Sequence, residues 1–418
     1  MPVTQRKIST SVAIFIFVSL LLIILNPYTV YGKPGQLIAF LFAFYACLNG
    51  IKTVVWRKIL TPLVLMFFVA IVGLLSSLVN GILQFNHVLS VVSLIVIVLA
   101  VQGIWMISHR NGVSFDLIVK MLLLIVLFNS SIIILELFFD GLRLGIEAFL
   151  DPLENGSINY AEGYRFRGIA SAGGANLSII IPAGLILALY LYGKKEIGTL
   201  FLVAAFSILM FSVTVIGRTG LIFSAIPVAM YFLINGRSLN LKTVMSFVLV
   251  LLLAVFLFFL FQSFGVNFLS DRFGDNFLFY SFGFIFEGKE GFQDEGTVAL
   301  LAEFLSVLPN DFYSALFGYG FYGGSDFSPW TDSGYARMFL SVGYLFGGIF
   351  YFLVFRLYYS SRNIDRFFAY SFVVVLAFAE VKESLLFSGY AARLFIIAIV
   401  FNILERTGFA SAAPHHRA

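Results

Sequence analysis

Twelve long apolar segments follow one another along this chain, and they constrain its fold more than any other feature. A helix needs about 20 residues to cross the hydrocarbon of a bilayer. A membrane β-barrel would instead show shorter segments of alternating polarity. The sequence therefore predicts an all-α, polytopic membrane protein with about twelve transmembrane helices. The predicted spans lie near residues 9–25, 35–51, 61–79, 88–107, 117–139, 177–192, 197–216, 219–235, 243–264, 335–356, 366–381 and 384–404.

The composition excludes several other classes of protein. Charged residues make up 11% of the chain, and hydrophobic residues make up 60%, whereas soluble domains carry about 25% charge. The net charge of +4 comes from basic residues in short loops, so it does not indicate a nucleic-acid partner. Cys47 is the only cysteine, which rules out an intrachain disulfide or a cysteine-based metal site.

The distribution of lysine and arginine predicts the orientation of the spans. The positive-inside rule places loops rich in these residues in the cytoplasm, and the rule is satisfied when both termini are cytoplasmic. Residues 140–176 and 265–334 then form two large external loops. We therefore expect one integral membrane domain, residues 1–404, followed by a disordered tail, residues 405–418. The basic residues on the predicted cytoplasmic side are Arg6, Lys7, Lys52, Arg57, Lys58, Arg110, Lys194, Lys195, Arg237, Lys242, Arg356, Arg362, Arg366, Arg406 and Arg417.

Most acidic residues fall on the predicted external side, which marks that side as the working face. A membrane protein keeps charge near a bilayer where water or a substrate requires it. The second large loop alone carries Asp271, Asp275, Glu287, Glu290, Asp294, Glu295, Glu303, Asp311, Asp326 and Asp332.

Several arginines are predicted at the external boundary of the membrane. Arg165 and Arg167 alternate in residues 164–168 (YRFRG), Arg218 stands between two glycines in residues 217–220 (GRTG), and Arg337 lies near the start of the tenth span. The planar guanidinium group binds phosphate oxygens in a bidentate way. The alternative is that each arginine reaches the lipid headgroups or pairs with a loop carboxylate. For Arg167 and Arg218 together, phosphate binding is the favoured interpretation.

Two interpretations of Asp332 stay open at this point. Its position directly before the tenth span suits a general base that accepts a proton from a hydroxyl group, but it also suits a helix cap. Glu136 has no evident role, Glu380 and Lys382 are expected to pair across a short turn, and His87 is expected to be solvated in a loop. No metal-binding or nucleotide-binding motif is present, so we expect no metal and no cofactor.

Four stretches give the chain a resemblance to a known family. They are residues 165–168 (RFRG) with the glycines at 173 and 174, residues 217–220 (GRTG), residues 317–321 (FGYGF), and residues 332–335 (DSGY) with glycines at 343 and 347. In this order, and with two large external loops, the chain resembles the Wzy family of O-antigen polymerases, within the wider group that includes O-antigen ligases. Ligases usually carry a histidine where this chain has Asp332, which favours the polymerase. An Arg-x10-Gly pattern described for some polymerases fits Arg272 and Gly283 in the second large loop, but it has no counterpart in the first.

The resemblance implies a glycosyltransferase of the GT-C-like architecture in the inner membrane of a bacterium, with its active face in the periplasm. Its substrates would be oligosaccharide repeat units on undecaprenyl diphosphate, both as donor and as acceptor, and neither metal nor nucleotide is needed. A flippase and a chain-length regulator would be partners. The implied roles are donor diphosphate binding by Arg167 and Arg218, proton transfer by Asp332, and weaker contacts to the substrate by Arg165, Arg272, Arg337 and Tyr335.

Two other functions remain as alternatives. An O-antigen ligase would move the polymer to another acceptor, and the aspartate at position 332 argues against it. A flippase or polysaccharide transporter belongs to a different class, in which inverted repeats and broken helices hold a charged site near the middle of the bilayer. This chain shows no repeat and carries its charge in external loops, which favours the enzyme.

Overall fold

The computed structural model describes residues 9–81, 83–150, 166–235, 308–309, 311–322, 331–385 and 389–411. Within these ranges the chain is helical, and its only β-type pairing consists of isolated bridges from Thr29 to Gly32 and to Leu150. The chain forms two compact units. The first comprises Met1–Asn26, Lys33–Leu122 and Glu303–Ala418, and the second comprises Pro27–Gly32 and Leu123–Ala302.

Fourteen helices are numbered here along the described parts of the chain. Those of the first unit are α1 (Thr10–Leu25), α2 (Pro34–Leu48), α3 (Thr53–Val79), α4 (Asn86–Arg110), α11 (Phe312–Phe317), α12 (Gly334–Tyr359), α13 (Arg366–Lys382) and α14 (Tyr390–Ser411). Helix α5 (Phe115–Phe138) belongs to both units, since their boundary follows Leu122. The second unit also contains α6 (Asp140–Phe149), α7 (Gly174–Gly193), α8 (Thr199–Ile216), α9 (Arg218–Phe223) and α10 (Ala225–Asn235).

The chain is a membrane-embedded helical protein. Six of the described helices are long and apolar enough to cross a bilayer, namely α3, α4, α5, α7, α8 and α12. Eleven of the twelve segments predicted as spans coincide with described helices, whereas the segment at residues 243–264 lies outside the described residues. The total of twelve spans and their orientation stay predictions.

Two helix ends differ from the sequence-based expectation. Helix α14 begins at Tyr390 instead of near residue 384, because the backbone N–H of Leu385 donates to the Glu380 carboxylate and that of Gly389 donates to the Leu385 carbonyl. The same helix continues to Ser411, past residue 404 where the tail was expected to begin. The Glu405 carboxylate accepts a hydrogen bond of 3.1 Å from the Phe115 N–H, which ties this last part of α14 to the start of α5.

In the first unit, α12 is broken in its middle by Gly343. This residue has φ 76°, outside the helical region, and a side-chain carbon added there would lie 2.4 Å from the Leu316 backbone. Only glycine combines that left-handed conformation with such a close approach. The break frees the carbonyls of Leu340 and Ser341, which accept hydrogen bonds from Tyr319 N–H at 2.6 Å and Gly320 N–H at 3.1 Å.

The segment that fills this break is residues 317–321, the FGYGF stretch. It is also fixed from the other side by α3, since the Ser76 hydroxyl donates to the Phe317 carbonyl at 2.8 Å and the Asn80 amide donates to the Tyr319 carbonyl at 3.0 Å. The segment therefore joins the end of α3 to the middle of α12 through backbone groups.

In the second unit, α7 is buried along nearly its whole length and packs against α8, α9 and α10. The first turn of α9 approaches α7 very closely. The Gly220 N–H donates to the Ser178 hydroxyl oxygen at 2.9 Å, and a side-chain carbon at Gly220 would lie 2.3 Å from the Ser178 carbonyl oxygen. This contact fixes the backbone that carries Arg218.

Candidate functional site

Arg167 lies at the centre of a buried polar cluster in the second unit. Its side chain is fully buried, and its Nε donates to Glu147 Oε1 at 3.0 Å while Nη2 donates to Glu147 Oε2. Its Nη1 donates to the Ser171 carbonyl at 2.8 Å. All three nitrogens of the guanidinium group thus have hydrogen-bond acceptors in the second unit. A phosphate could bind this group only by displacing Glu147.

Two side chains of α5 hold the backbone that follows Arg167. Glu136 Oε2 accepts a hydrogen bond of 3.1 Å from the Gly168 N–H, and Asn129 Oδ1 accepts one of 3.0 Å from the Ile169 N–H. Glu136, which had no role on sequence grounds, therefore anchors the RFRG stretch. Its Oε1 is buried and has no hydrogen-bond partner among the described residues.

Sequence reasoning missed Glu147 as a member of this cluster. Glu147 lies on α6, which begins at Asp140 and also carries Arg143. Asp140 and Arg143 form an ion pair with an N–O distance of 2.9 Å. The three residues share the polar face of a short amphipathic helix, because they are spaced by three and four positions. That spacing was the available signal, but it could not show which arginine Glu147 contacts.

The structure gives little information on three of the other predicted arginines, Arg165, Arg218 and Arg272. Arg218 is the first residue of α9, directly after Gly217 in extended backbone, and the description covers its backbone only. Arg165 and Arg272 lie outside the described residues. The roles predicted for these three arginines therefore stay predictions.

Asp332 and Arg337 form an ion pair at the start of α12 in the first unit. Arg337 Nη2 lies 3.2 Å from Asp332 Oδ1, and Arg337 Nε donates to the Thr331 carbonyl at 2.6 Å. The N-cap of α12 is Ser333, whose hydroxyl accepts from the Ala336 N–H at 3.4 Å. Asp332 is therefore not the cap, and its side chain remains 34% exposed.

A second carboxylate, Glu380, is buried beside the start of α12. Its Oε1 accepts from the Tyr351 hydroxyl at 3.1 Å, and its Oε2 accepts from the Leu385 N–H at 2.9 Å. A side-chain carbon at Gly334 would lie 2.1 Å from Glu380 Oε1, so the glycine of the DSGY stretch makes room for this carboxylate. Sequence reasoning placed Glu380 in a turn beside Lys382, but it lies inside α13 and is almost fully buried.

Three tyrosines and a histidine surround this carboxylate or lie near it. The Tyr335 hydroxyl donates to the Ala377 carbonyl at 3.1 Å, and its ring centre lies 4.6 Å from that of Tyr351. The Tyr322 hydroxyl bonds to the Ser384 hydroxyl at 2.7 Å. Burial, and then the negative charge of Glu380, raise the pKa of Tyr322 above its ordinary value. His87, expected in a solvated loop, is buried in the first turn of α4, with its ring centre 5.8 Å from that of Tyr322.

The structure thus brings Asp332, Arg337 and Tyr335 together at one end of α12 and places Arg167 in a separate cluster of the other unit. Among the described residues, no group of three or more histidine, cysteine, aspartate or glutamate side chains is placed to hold a metal ion. Comparison with models of protein families found no match, and neither the curated proteins nor the solved structures included a similar chain.

Proposed function

We propose that this protein is a membrane glycosyltransferase, a polymerase of the Wzy type. It would join oligosaccharide repeat units carried on undecaprenyl diphosphate into O-antigen or a related surface polysaccharide. The observation that carries the proposal is the Asp332–Arg337 pair. It places a partly exposed carboxylate next to a guanidinium group, at the end of an apolar helix long enough to span a membrane.

The proposed reaction needs a base and a stabilised leaving group. The acceptor hydroxyl oxygen attacks the anomeric carbon of the donor, the bond from that carbon to the lipid diphosphate breaks, and the hydroxyl proton passes to Asp332. Arginine side chains stabilise the negative charge that develops on the diphosphate. No nucleotide is consumed, because the diphosphate already activates the donor.

In this proposal Arg218 is the main residue that binds the donor diphosphate, and Arg337, Arg165 and Arg272 make further contacts to it. Arg167 was predicted to share this role, and that stays a prediction. Since its guanidinium group is bound to Glu147 and Ser171, the structure supports a positioning role for Arg167 in holding the first large loop. The Tyr335 hydroxyl donates to the Ala377 carbonyl, and its predicted contact with the substrate stays a prediction.

One structural observation could favour the transporter alternative, because α12 is a broken helix. In transporters, broken helices line a cavity and their free backbone groups coordinate the cargo. In this protein, the freed carbonyls of Leu340 and Ser341 are occupied by Tyr319 and Gly320 of the same chain. The break is therefore filled, and it does not favour a transport site.

The first experiment compares the surface-glycan ladder of cells that lack the gene with that of complemented cells. Wild type should restore a long ladder, whereas Arg218→Ala should leave core plus one repeat unit. Arg218→Lys should restore little, because lysine cannot form the bidentate contact. Arg362→Ala is the control, since Arg362 is exposed and donates a hydrogen bond to the Tyr359 hydroxyl, far along the chain from every residue of the proposed site. A full ladder from Arg218→Ala at equal protein level contradicts the proposal, and loss of every repeat unit in the deletion points to the ligase or flippase.

The role of Asp332 is tested separately with Asp332→Asn. Asparagine caps helices as well as aspartate does, and the cap here is Ser333, so the variant should fold and insert normally. However, an amide cannot accept the proton in place of the carboxylate. We therefore expect the amount of polymer to fall by at least about 100-fold, which is the usual size of a general-base contribution. A normal ladder from Asp332→Asn would remove Asp332 from the mechanism.

A further inference from the structure

A groove at one end of the first unit is formed by α1, α2, α4 and α14. It encloses about 320 Å³, which falls within the size range of small-molecule sites. None of the described residues that line it is acidic. The groove is lined by Ile23, Asn26, Gly35, Gln36, Ala39, Phe40, Leu89, Val92, Ser93, Val96, Ile97 and Arg393.

Among the described residues that line this groove, Arg393 is the only charged side chain, and no described carboxylate forms an ion pair with it. Its Nη1 lies 3.5 Å from the Ile23 carbonyl oxygen, at the limit of a hydrogen bond. Its Nε is buried without a hydrogen-bond partner among the described residues. An arginine in an apolar helix is costly unless an anion or a polar cavity compensates its charge. The groove therefore presents an unneutralised guanidinium group.

The polarity of the groove changes along its length. Asn26, Gln36 and Arg393 lie at the ends of their helices, within about a turn of each helix terminus. On α4 the wall continues from Leu89 to Ile97, which is about 12 Å at 1.5 Å per residue. The groove thus has amide and guanidinium donors at one end and, apart from Ser93, apolar side chains along the rest.

The apolar part of the groove opens to the surface of the helix bundle. Phe40 and Leu89 are 58% and 61% exposed, and Val92 is 38% exposed. In a membrane-embedded protein such side chains face lipid chains. A ligand that fits this arrangement has one anionic head and a long apolar tail that leaves the groove sideways.

We infer that this groove binds a membrane lipid with an anionic phosphate headgroup. The phosphate oxygens accept hydrogen bonds from the Arg393 guanidinium and from the amides of Asn26 and Gln36, and one chain of the lipid lies along Phe40, Leu89 and Val96. Phosphate suits this head because it offers several acceptor oxygens to the planar guanidinium fork. The inference does not depend on the proposed function, because none of these residues belongs to the proposed polymerase site.

The test uses the purified full-length protein in micelles of a neutral detergent. Dioleoylphosphatidylglycerol should raise the midpoint of thermal unfolding far more than dioleoylphosphatidylcholine at the same mole fraction, because a ligand that binds only the folded state stabilises it. Arg393→Met should remove most of this difference, and Arg393→Lys should keep part of it. Arg110→Met, at the other end of α4 and exposed, is the matched control and should keep all of it.

A second variant separates lipid binding from any effect of Arg393 on folding. Val96→Phe fills the apolar part of the groove and leaves Arg393 unchanged, so it should also abolish the preference for phosphatidylglycerol. Native mass spectrometry should show one retained phosphatidylglycerol on the wild type and none on Val96→Phe. An unchanged preference in both Arg393→Met and Val96→Phe would overturn the inference. So would an equal rise of the midpoint with inorganic phosphate alone, because that would show a site for a free anion.

Discussion

Two arginine–carboxylate pairs of the second unit differ sharply in their surroundings. Arg167 and Glu147 are nearly or fully removed from solvent, whereas Asp140, the partner of Arg143, is 55% exposed. Breaking a buried pair leaves an uncompensated charge and costs about 3–5 kcal/mol. An exposed pair contributes about 0–1 kcal/mol. The two pairs should therefore respond very differently to the same kind of substitution.

For the buried pair, we expect Glu147→Gln to lower the free energy of unfolding by about 3–5 kcal/mol, since Arg167 would keep its charge without a counterion. The measurement is unfolding in mixed micelles at increasing dodecyl sulfate. Asp140→Asn is the control and should lower stability by less than Glu147→Gln, because the Asp140 carboxylate is 55% exposed. Similar small effects in both variants would show that the Arg167–Glu147 pair does not stabilise the first large loop.

Asp311 gives a prediction about pH, because it is the N-cap of α11 and is exposed. The Ser314 hydroxyl and N–H donate to its carboxylate and lower its pKa below the ordinary value of 3.8. A lowered pKa in the folded protein adds stability above the ordinary pKa, and this contribution is lost as pH falls through the folded value. The stability difference between wild type and Asp311→Asn should thus shrink below about pH 4. A difference that grows on acidification would contradict this account.

These contacts also show what sequence reasoning could reach at individual positions. It identified Arg167 and Asp332 as unusual, because charge beside an apolar span is visible in the sequence. It could not give Arg167 its partner, since Glu147 is twenty positions away and is joined to it only by the fold. It also left Asp332 between base and cap, and the hydrogen bond from the Ala336 N–H to the Ser333 hydroxyl excludes the cap, whereas the base stays a prediction.

Among the helices, α12 depends most on a single backbone conformation. Gly343 and Gly348 belong to the same apolar run, but Gly343 has φ 76° and a crowded environment, whereas Gly348 has open space around it. The apolar pattern predicted the helix and its ends to within a few residues. It could not predict the break, because nothing in the local sequence separates these two glycines. The break is set by residues 317–321, which are distant in the sequence.

The two glycines provide a matched pair of substitutions. Gly343→Ala should lower the free energy of unfolding by at least about 1–2 kcal/mol, since alanine is strained in the left-handed region, and the clash with the Leu316 backbone adds to this. Gly348→Ala should be neutral or stabilise the protein by up to about 1 kcal/mol, because alanine favours the helix. Unfolding in mixed micelles measures both. Equal effects would mean that the break in α12 does not form in the membrane.

For the chain as a whole, the predicted orientation can be tested by labelling introduced cysteines, because Cys47 is the only native cysteine. Replacing Cys47 by alanine gives a cysteine-free background. Tyr31→Cys, at a position 90% exposed between α1 and α2, should react with a membrane-impermeant maleimide in intact cells with a permeabilised outer membrane. Ser114→Cys, at the exposed turn between α4 and α5, should react only after the cells are lysed. The opposite pattern would invert the predicted orientation and move both large loops to the cytoplasm.

The FGYGF segment restricts how the first half of α12 can shift along its axis. Tyr319 and Gly320 occupy consecutive carbonyls of α12, so any sliding of this segment along the helix must proceed by whole residues. A half-step would leave both carbonyls without these donors, and a buried carbonyl that loses its hydrogen bond costs about 1–3 kcal/mol. The first half of α12, which follows Asp332 and carries Arg337, is therefore held in a fixed register with residues 317–321.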